Sequence, residues 1–334
     1  MRIAVDAHNL LTDRQGIGRY VRTLLRQWLG DRELEITLLL RSPLPWVDRR
    51  RVSAMLGSDR FALAAQEPPS ADVVWHPWNG TFFPSARPAV ATIHDAVPFT
   101  FPNQDPQRRA REQGPFVRSV QTARRVIAVS QSAAREIVER LGLPEERVRV
   151  VYHGVATIFS PGLTPPGEQR YLLFVGSVAQ ELKNFALLHH AYVRAWPAGD
   201  GPELVVLGKS AREYRAVRFI PPVHRGGAAG AEDERIRDLY RGAFALALPS
   251  RSESFAMPLL EAMACGTPVL ASGAGAIPEI AGDAALLLEP DDEEGWTRAL
   301  RTVVRDEGVR SHLREEGLRR VRAFSWERCA LQTL

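Results

Sequence analysis

Two carboxylates eight positions apart, Glu253 and Glu261, bracket the run Ser254-Phe255-Ala256-Met257-Pro258-Leu259-Leu260. Pro258 suits a first helical turn, where its missing N–H would have had no partner in any case, and Gly266 suits a helix end. An apolar run, Ala243–Leu248, precedes this segment, and a second, Thr267–Ala271, follows it. Strand, loop, helix and strand in that order make a βαβ unit, whose loop and helix start lie at the carboxyl edge of a parallel sheet. Open N–H groups at a helix start favour an anion, and flanking carboxylates accept hydrogen bonds from hydroxyls. Phosphate together with many hydroxyls describes a sugar nucleotide. The same pattern also suits a surface loop ahead of an ordinary amphipathic helix, and spacing alone leaves both readings open.

Other residues of chemical interest are placed in the same way. Of the 43 basic residues only Lys183 and Lys209 are lysine, and each follows an expected strand, Tyr171–Val175 or Glu203–Leu207. A compact ammonium suits a phosphate oxygen where a guanidinium fork does not fit, although two positions also arise by chance. His94 and Asp95 follow the strand Ala89–Ile93, at a carboxyl end where an imidazole is placed to hydrogen-bond a ligand. A lone histidine is more often a satisfied structural residue. Gly16-Ile17-Gly18 stands between the strand Arg2–Asp6 and a helix over Arg19–Leu29. A G-x-G there can cradle phosphate, but the glycines lie well beyond the strand and Val21 occupies the third fingerprint position, so a flexible turn fits equally.

The elements that must position these groups fit two domains, since 334 residues suffice for two cores. Further strands are expected at Leu34–Leu40, Asp72–Trp75, Val126–Val129, Val148–Val151, Val217–Ile220 and Ala284–Leu288. Helices are expected at Ala133–Leu141, capped by Ser130, at Asp291–Arg305 and at Gly308–Ala323. Pro106–Arg125 reads as helical, with a break or kink at Gly114-Pro115. The aromatic loop His76-Pro-Trp-Asn-Gly-Thr-Phe-Phe-Pro84 could shape a cleft. The breaker-rich run from Ser160 to Gly167 marks the domain boundary.

Hydrophobic residues at 45% and charged ones at 25% indicate a globular protein. No apolar run approaches the roughly 20 residues of a membrane span, and the chain opens on a strand pattern instead of a signal peptide, so a cytoplasmic location is expected. Cys265 and Cys329 are too few for a disulfide framework or a zinc site and read as inert thiols. The net charge of +4 is concentrated in the first half, which points to an anionic partner such as a lipid-linked phosphate acceptor or a membrane surface. Nucleic acid is disfavoured because no recognition motif accompanies the charge. In Ser42–Leu56, Trp46 and Arg49-Arg50-Arg51 could meet anionic lipid at the periphery of a membrane, or form an ordinary solvated face.

The segment Glu253-Ser-Phe-Ala-Met-Pro-Leu-Leu-Glu261-Ala-Met-Ala-Cys-Gly-Thr-Pro-Val resembles the E-x7-E signature of the retaining glycosyltransferases of family 4. His94-Asp95-Ala-Val-Pro resembles their H-D-x-x-P motif, Gly16-Ile-Gly-Arg19-Tyr20 their glycine loop, and Val126 to Val155 their interdomain segment. The resemblance covers nearly the whole chain. It implies an α/β chain of GT-B fold, two Rossmann-like parallel-sheet domains facing across a cleft. Residues 1–160 would form the acceptor side, 168–322 the nucleotide-sugar domain, and 323–334 the start of a closing helix returning to the first domain, short enough that a continuation past Leu334 is expected.

By this resemblance Glu253 lies by the donor sugar, Glu261 holds the ribose hydroxyls, and His94 reaches a sugar hydroxyl. Lys183 meets the diphosphate, and Lys209, placed by the lysine usage above and not by the resemblance, could add to the charge neutralisation there. Gly16 and Gly18 cover the donor phosphates, Ser254, Phe255, Ala256 and Met257 line the donor site, and Arg19 and Tyr20 face the acceptor. The implied activity is a retaining, metal-independent hexosyltransferase with no cofactor and no protein nucleophile. Its donor would be a nucleotide-diphosphate sugar of GDP-mannose or UDP-hexose type, its acceptor a glycan or lipid-linked hydroxyl. Ala256 stands where the family commonly has Gly, His153 where Asn is common, and the arginine that often accompanies the lysine is absent near Ser177 and Leu182. A non-catalytic relative that binds nucleotide, or a sugar-nucleotide epimerase or phosphorylase on the same architecture, is the alternative.

Overall fold

A computed structural model describes residues 1–13, 16–40, 44–162, 171–210, 212–221 and 229–334. The chain divides into two compact units, Met1–Gly154 with Trp326–Leu334, and Val155–Ser325. The expected boundary run from Ser160 lies inside the second unit, and most of it falls outside the described residues. Its front belongs there because Phe159 is buried with its ring 6.1 Å from Tyr240, and Arg241 donates to the Ser160 carbonyl.

The first unit begins with β1 (Arg2–Asp6), α1 (Gly16–Gly30), β2 (Glu35–Leu39), α2 (Pro45–Leu56), β3 (Ala62–Ala64) and β4 (Val73–His76). It continues with β5 (Ala89–Ile93), α3 (Val97–Thr100), α4 (Pro106–Thr122), β6 (Ala123–Ala128), α5 (Gln131–Leu141) and β7 (Val148–Val150). Its strands pair in parallel in the order β3-β2-β1-β4-β5-β6-β7. The second unit holds β8 (Tyr171–Val175), α6 (Phe185–Ala195), β9 (Glu203–Leu207), β10 (Val217–Ile220), α7 (Ala229–Arg241) and β11 (Ala243–Leu248). After these come α8 (Met257–Ala264), β12 (Val269–Ser272), α9 (Ile277–Ala281), β13 (Leu286–Leu288), α10 (Glu293–Arg305) and α11 (Glu307–Arg320). Its parallel sheet runs β10-β9-β8-β11-β12-β13.

Near-continuous apolar strands such as YLLFV in β8 and AFALAL in β11 are what a parallel sheet covered on both faces requires. Leu172, Phe174, Leu204, Val206 and Ala245 pack with Phe185 of α6 and Trp296 of α10 in the second core. The last helix, α12 (Trp326–Thr333), belongs to the first unit, where Trp28 of α1 donates from Nε1 to the Ala330 carbonyl at 3.0 Å.

Most expected elements are present with ends shifted by one or two residues. Of the break or kink expected at Gly114-Pro115 the break does not occur, for α4 is one helix with Pro115 inside it. The carbonyl of Pro115 still accepts from Thr81 N and from Ser119 Oγ, so the ring removes a donor without leaving its own acceptor unsatisfied. Ser130 does cap α5, accepting from Ala133 N at 3.0 Å. Ser130→Ala is expected to lower stability by about 1 kcal/mol, read as a lower urea midpoint with an unchanged slope.

Candidate active site

In the second unit, strand order reverses between β8 and its neighbour β11, and open α/β sheets take ligands outside the carboxyl ends of the strands at such a reversal. The loops leaving these two strands are bound together, since Arg251 N donates to the Leu182 carbonyl at 2.8 Å. They bring Lys183 and Glu253 into contact, Nζ to Oε1 at 2.6 Å, with the two side chains only 24% and 12% exposed. Ser250 Oγ donates to the same carboxylate oxygen at 2.7 Å, and Ser272 Oγ donates to the Ser250 carbonyl. The backbone of Glu253 is held as firmly, its carbonyl accepting from Ala276 N at 2.8 Å. Gly275 is needed for that approach: its φ is +59°, and a Cβ there would stand 2.4 Å from the Glu253 carbonyl oxygen.

Glu261 lies within α8, buried, and Tyr240 at the end of α7 donates to its Oε2 at 3.0 Å. Ala256, the residue before α8, has φ 63° and ψ 56°. This left-handed conformation admits Gly freely and disfavours an L-residue by about 1–2 kcal/mol, which gives a backbone reason for glycine at this place. Phe255 and Ala256 are buried and Ser254 and Met257 half-buried. Lys209 follows β9 as an exposed side chain outside the Lys183–Glu253 pair. Ser250 and Tyr240 were not singled out from the sequence, where neither a Ser ahead of Glu253 nor a Tyr in an unremarked helix carries a signal. Burial pushes the Cys265 thiol up to about 12, which suits the inert role expected of it.

In the first unit His94 is packed into an aromatic cluster. Its Nε2 stands 3.0 Å from the Pro77 carbonyl, which only accepts, so that nitrogen carries the hydrogen. The ring lies 5.0 Å from Tyr20 and stacks at 5.6 Å on His153, and the residue is 8% exposed. Its main-chain N–H donates to Asn79 Oδ1 at 2.7 Å. Tyr20, expected from the resemblance to face an acceptor, is 2% exposed and an edge-on partner of Trp75 and His153 as well. Arg19 is half-buried beside it. Gly16 has open space around it, whereas a Cβ on Gly18 would meet the Asp13 carbonyl at 2.1 Å, so Gly18 is required by the turn itself.

Two family profiles match the chain, one described as Glycosyltransferase Family 4 over residues 14–159 and one as Glycosyl transferases group 1 over residues 169–306. The chain belongs to the family 4 glycosyltransferases. It is 25% identical to O-antigen chain mannosyltransferase B of Escherichia coli, over 96% of this chain and 94% of that protein. It is 31% identical to the MMP alpha-(1->4)-mannosyltransferase of Mycolicibacterium hassiacum, over 74% of this chain and 64% of that protein. Its fold is similar to that of Anabaena HepE in complex with UDP-glucose, with a TM-score of 0.70, 16% identity and coverage of 99% and 98% of the two chains. This family 4 chain is thus a glycosyltransferase with two Rossmann-like parallel-sheet domains of GT-B type.

The site makes two predictions. Ala256→Gly relieves the left-handed strain and loses part of that gain to unfolded-state entropy, for a net stabilisation of about 0.5–1 kcal/mol by urea unfolding. The second concerns the stacked imidazoles. Burial lowers the pKa of His94, only partly offset by the Pro77 carbonyl and Asp95, and burial followed by His94 lowers that of His153 well below 6.5. Both rings are then neutral in the fold and take protons more readily when unfolded, so their stability contribution is present above the unfolded value of 6.5 and is lost as pH falls below it. Unfolding free energy should drop between about pH 6.5 and 5 by up to about 1.4 kcal/mol per pH unit for each ring. His153→Asn should flatten that slope.

Proposed function

We propose that the chain transfers a hexose from a nucleotide-diphosphate-sugar donor to an acceptor hydroxyl with retention at the anomeric carbon, without a metal ion. The observation that carries this reading is the Lys183–Glu253 pair, fixed at the strand-order reversal of the second sheet and adjoining the start of α8. A fixed ammonium beside helix amides favours the developing charge of a leaving diphosphate. Glu253 accepts hydrogen bonds from sugar hydroxyls through the oxygen that Lys183 and Ser250 do not occupy. Glu261, oriented by Tyr240, receives the ribose hydroxyls.

In the transfer the bond from the anomeric carbon to the phosphate oxygen breaks and the bond to the acceptor oxygen forms on the same face. The acceptor proton passes to the departing diphosphate, so no protein nucleophile is required. The donor is of GDP-mannose or UDP-hexose type. Mannosyltransferase relatives and a structural neighbour in complex with UDP-glucose support that range. The O-antigen relative supports a role in glycan, polysaccharide or glycolipid assembly. Among the described residues no helix is long and apolar enough to cross a membrane. A peripheral contact with anionic lipid at the cytoplasmic face would use the exposed Leu44 and Trp46 at the start of α2 together with its arginines.

Glu261→Ala is expected to weaken nucleotide-sugar binding by about 10- to 100-fold in calorimetry, the loss of hydrogen bonds to a charged group, with an unchanged circular dichroism spectrum. Unchanged affinity would refute the ribose assignment. Slow donor hydrolysis by the purified protein, abolished in Lys183→Ala, is expected of a transferase, and its absence with every common nucleotide sugar would favour a non-catalytic nucleotide binder.

A further inference from the structure

The first sheet also reverses its strand order, between β1 and β4, and its crevice is equally a place for a ligand. The residues at the carboxyl ends of these strands are Asp6 and His76, both fully buried. Asp6 Oδ1 lies 2.7 Å from His8 Nδ1 and accepts from His8 N at 3.2 Å. Asp6 Oδ2 lies 3.4 Å from His76 Nδ1, and the Asp6 carbonyl accepts from Trp78 Nε1 at 2.6 Å. Burial by itself raises the Asp6 pKa, but hydrogen bonds from His76 and His8 outweigh it and hold the carboxyl below its usual value. An ionised carboxylate only accepts, so both Nδ1 atoms carry hydrogen, and each ring turns its Nε2 away from Asp6, available to another hydrogen-bond partner.

In His76 that Nε2 is buried and has no hydrogen-bond partner among the described residues. In His8 the side chain is 36% exposed. Phe82 packs on the His8 ring with centroids 4.7 Å apart and planes tilted by 53°, while Trp78 meets it edge-on at 5.8 Å. Phe82 itself is 42% exposed. The rim of this crevice therefore combines an oriented ring nitrogen, able to hydrogen-bond, with an open aromatic face.

That combination fits a pyranose ring, whose hydroxyls donate and whose axial C–H face is apolar. It fits a phosphate poorly, because the Asp6 carboxylate behind His8 opposes an anion. We propose that His8 and Phe82, with Asp6 as the positioning residue, form a carbohydrate-binding subsite in the first unit. His8 Nε2 hydrogen-bonds a sugar hydroxyl, which can donate or accept, and Phe82 carries the C–H face. On the glycosyl-transfer reading above, on which this assignment rests, that sugar is part of the acceptor.

Saturation-transfer NMR on the full chain with methyl α-D-mannopyranoside and methyl α-D-glucopyranoside tests the subsite. Ring protons of at least one glycoside should be saturated by the unsubstituted protein. Affinity should fall by about tenfold in His8→Ala, for the lost hydrogen bond, and by about fivefold in Phe82→Ala, for the lost aromatic face. Asp6→Asn should weaken binding while the ring nitrogen shifts of His8 lose the Nδ1–H signature, a change that mere loosening of the fold does not produce. No saturation with the unsubstituted protein, equal saturation in all variants, or displacement of the glycoside by inorganic phosphate would each overturn the proposal. Thermal stabilisation by UDP or GDP, measured in parallel and expected to be the same in all these variants, judges the transferase reading separately. If neither nucleotide stabilises the protein, that reading fails whatever the glycosides do.

Discussion

A parallel sheet covered by helices on both faces leaves one place for chemistry, the edge where the carboxyl ends of its strands release the chain into loops. Everything functional in this protein follows from that restriction. In each sheet the strand order turns back beside the first strand of its unit, so two neighbouring loops diverge there and open a crevice. In the second unit those loops carry Lys183 and Glu253. In the first, Asp6 and His76 end the two strands and His8 stands just past the first of them. Burial then sharpens the electrostatics, because groups removed from water interact more strongly and must be paired.

The two crevices satisfy that demand differently. In the second, a cation and an anion neutralise each other and a serine hydroxyl takes up a further position on the shared carboxylate oxygen. On the proposed reading a ligand diphosphate would exchange one anionic partner of Lys183 for another, with the ammonium already oriented by Glu253. In the first, a single buried carboxylate orders two imidazoles, and the information it transmits is which ring nitrogen carries the hydrogen.

The sheets, their parallel sense and the E-x7-E loop were legible in the sequence, since buried parallel strands read as apolar runs and Pro258 and Gly266 frame the helix between them. The carboxylate and lysine were legible too, but not their mutual contact, because nothing in a linear spacing brings Lys183 to a residue seventy positions away. Tyr20 and His94 were legible as motif residues but not in their packing. Their motif suggested a ligand surface, and the aromatic surroundings that pack them lie on Trp75, His153 and Trp326, which are distant in sequence. Asp6 escaped notice because a strand-terminal aspartate is ordinary until its two histidines are placed around it. The bond from Thr81 N to the Pro115 carbonyl was likewise beyond the linear sequence, because it joins α4 to another segment.

The position of α12 sets the order in which this polypeptide can become a folded protein. The side chain of Trp28 donates to the carbonyl of Ala330, 302 positions later, and Trp326 lies against Tyr20 and His153 in the same aromatic cluster. During synthesis the first unit emerges early yet lacks part of its own interior until the whole of the second has left the ribosome. Its folding is therefore a discontinuous event with a long loop to close, and residues made after the second unit complete the first core begun.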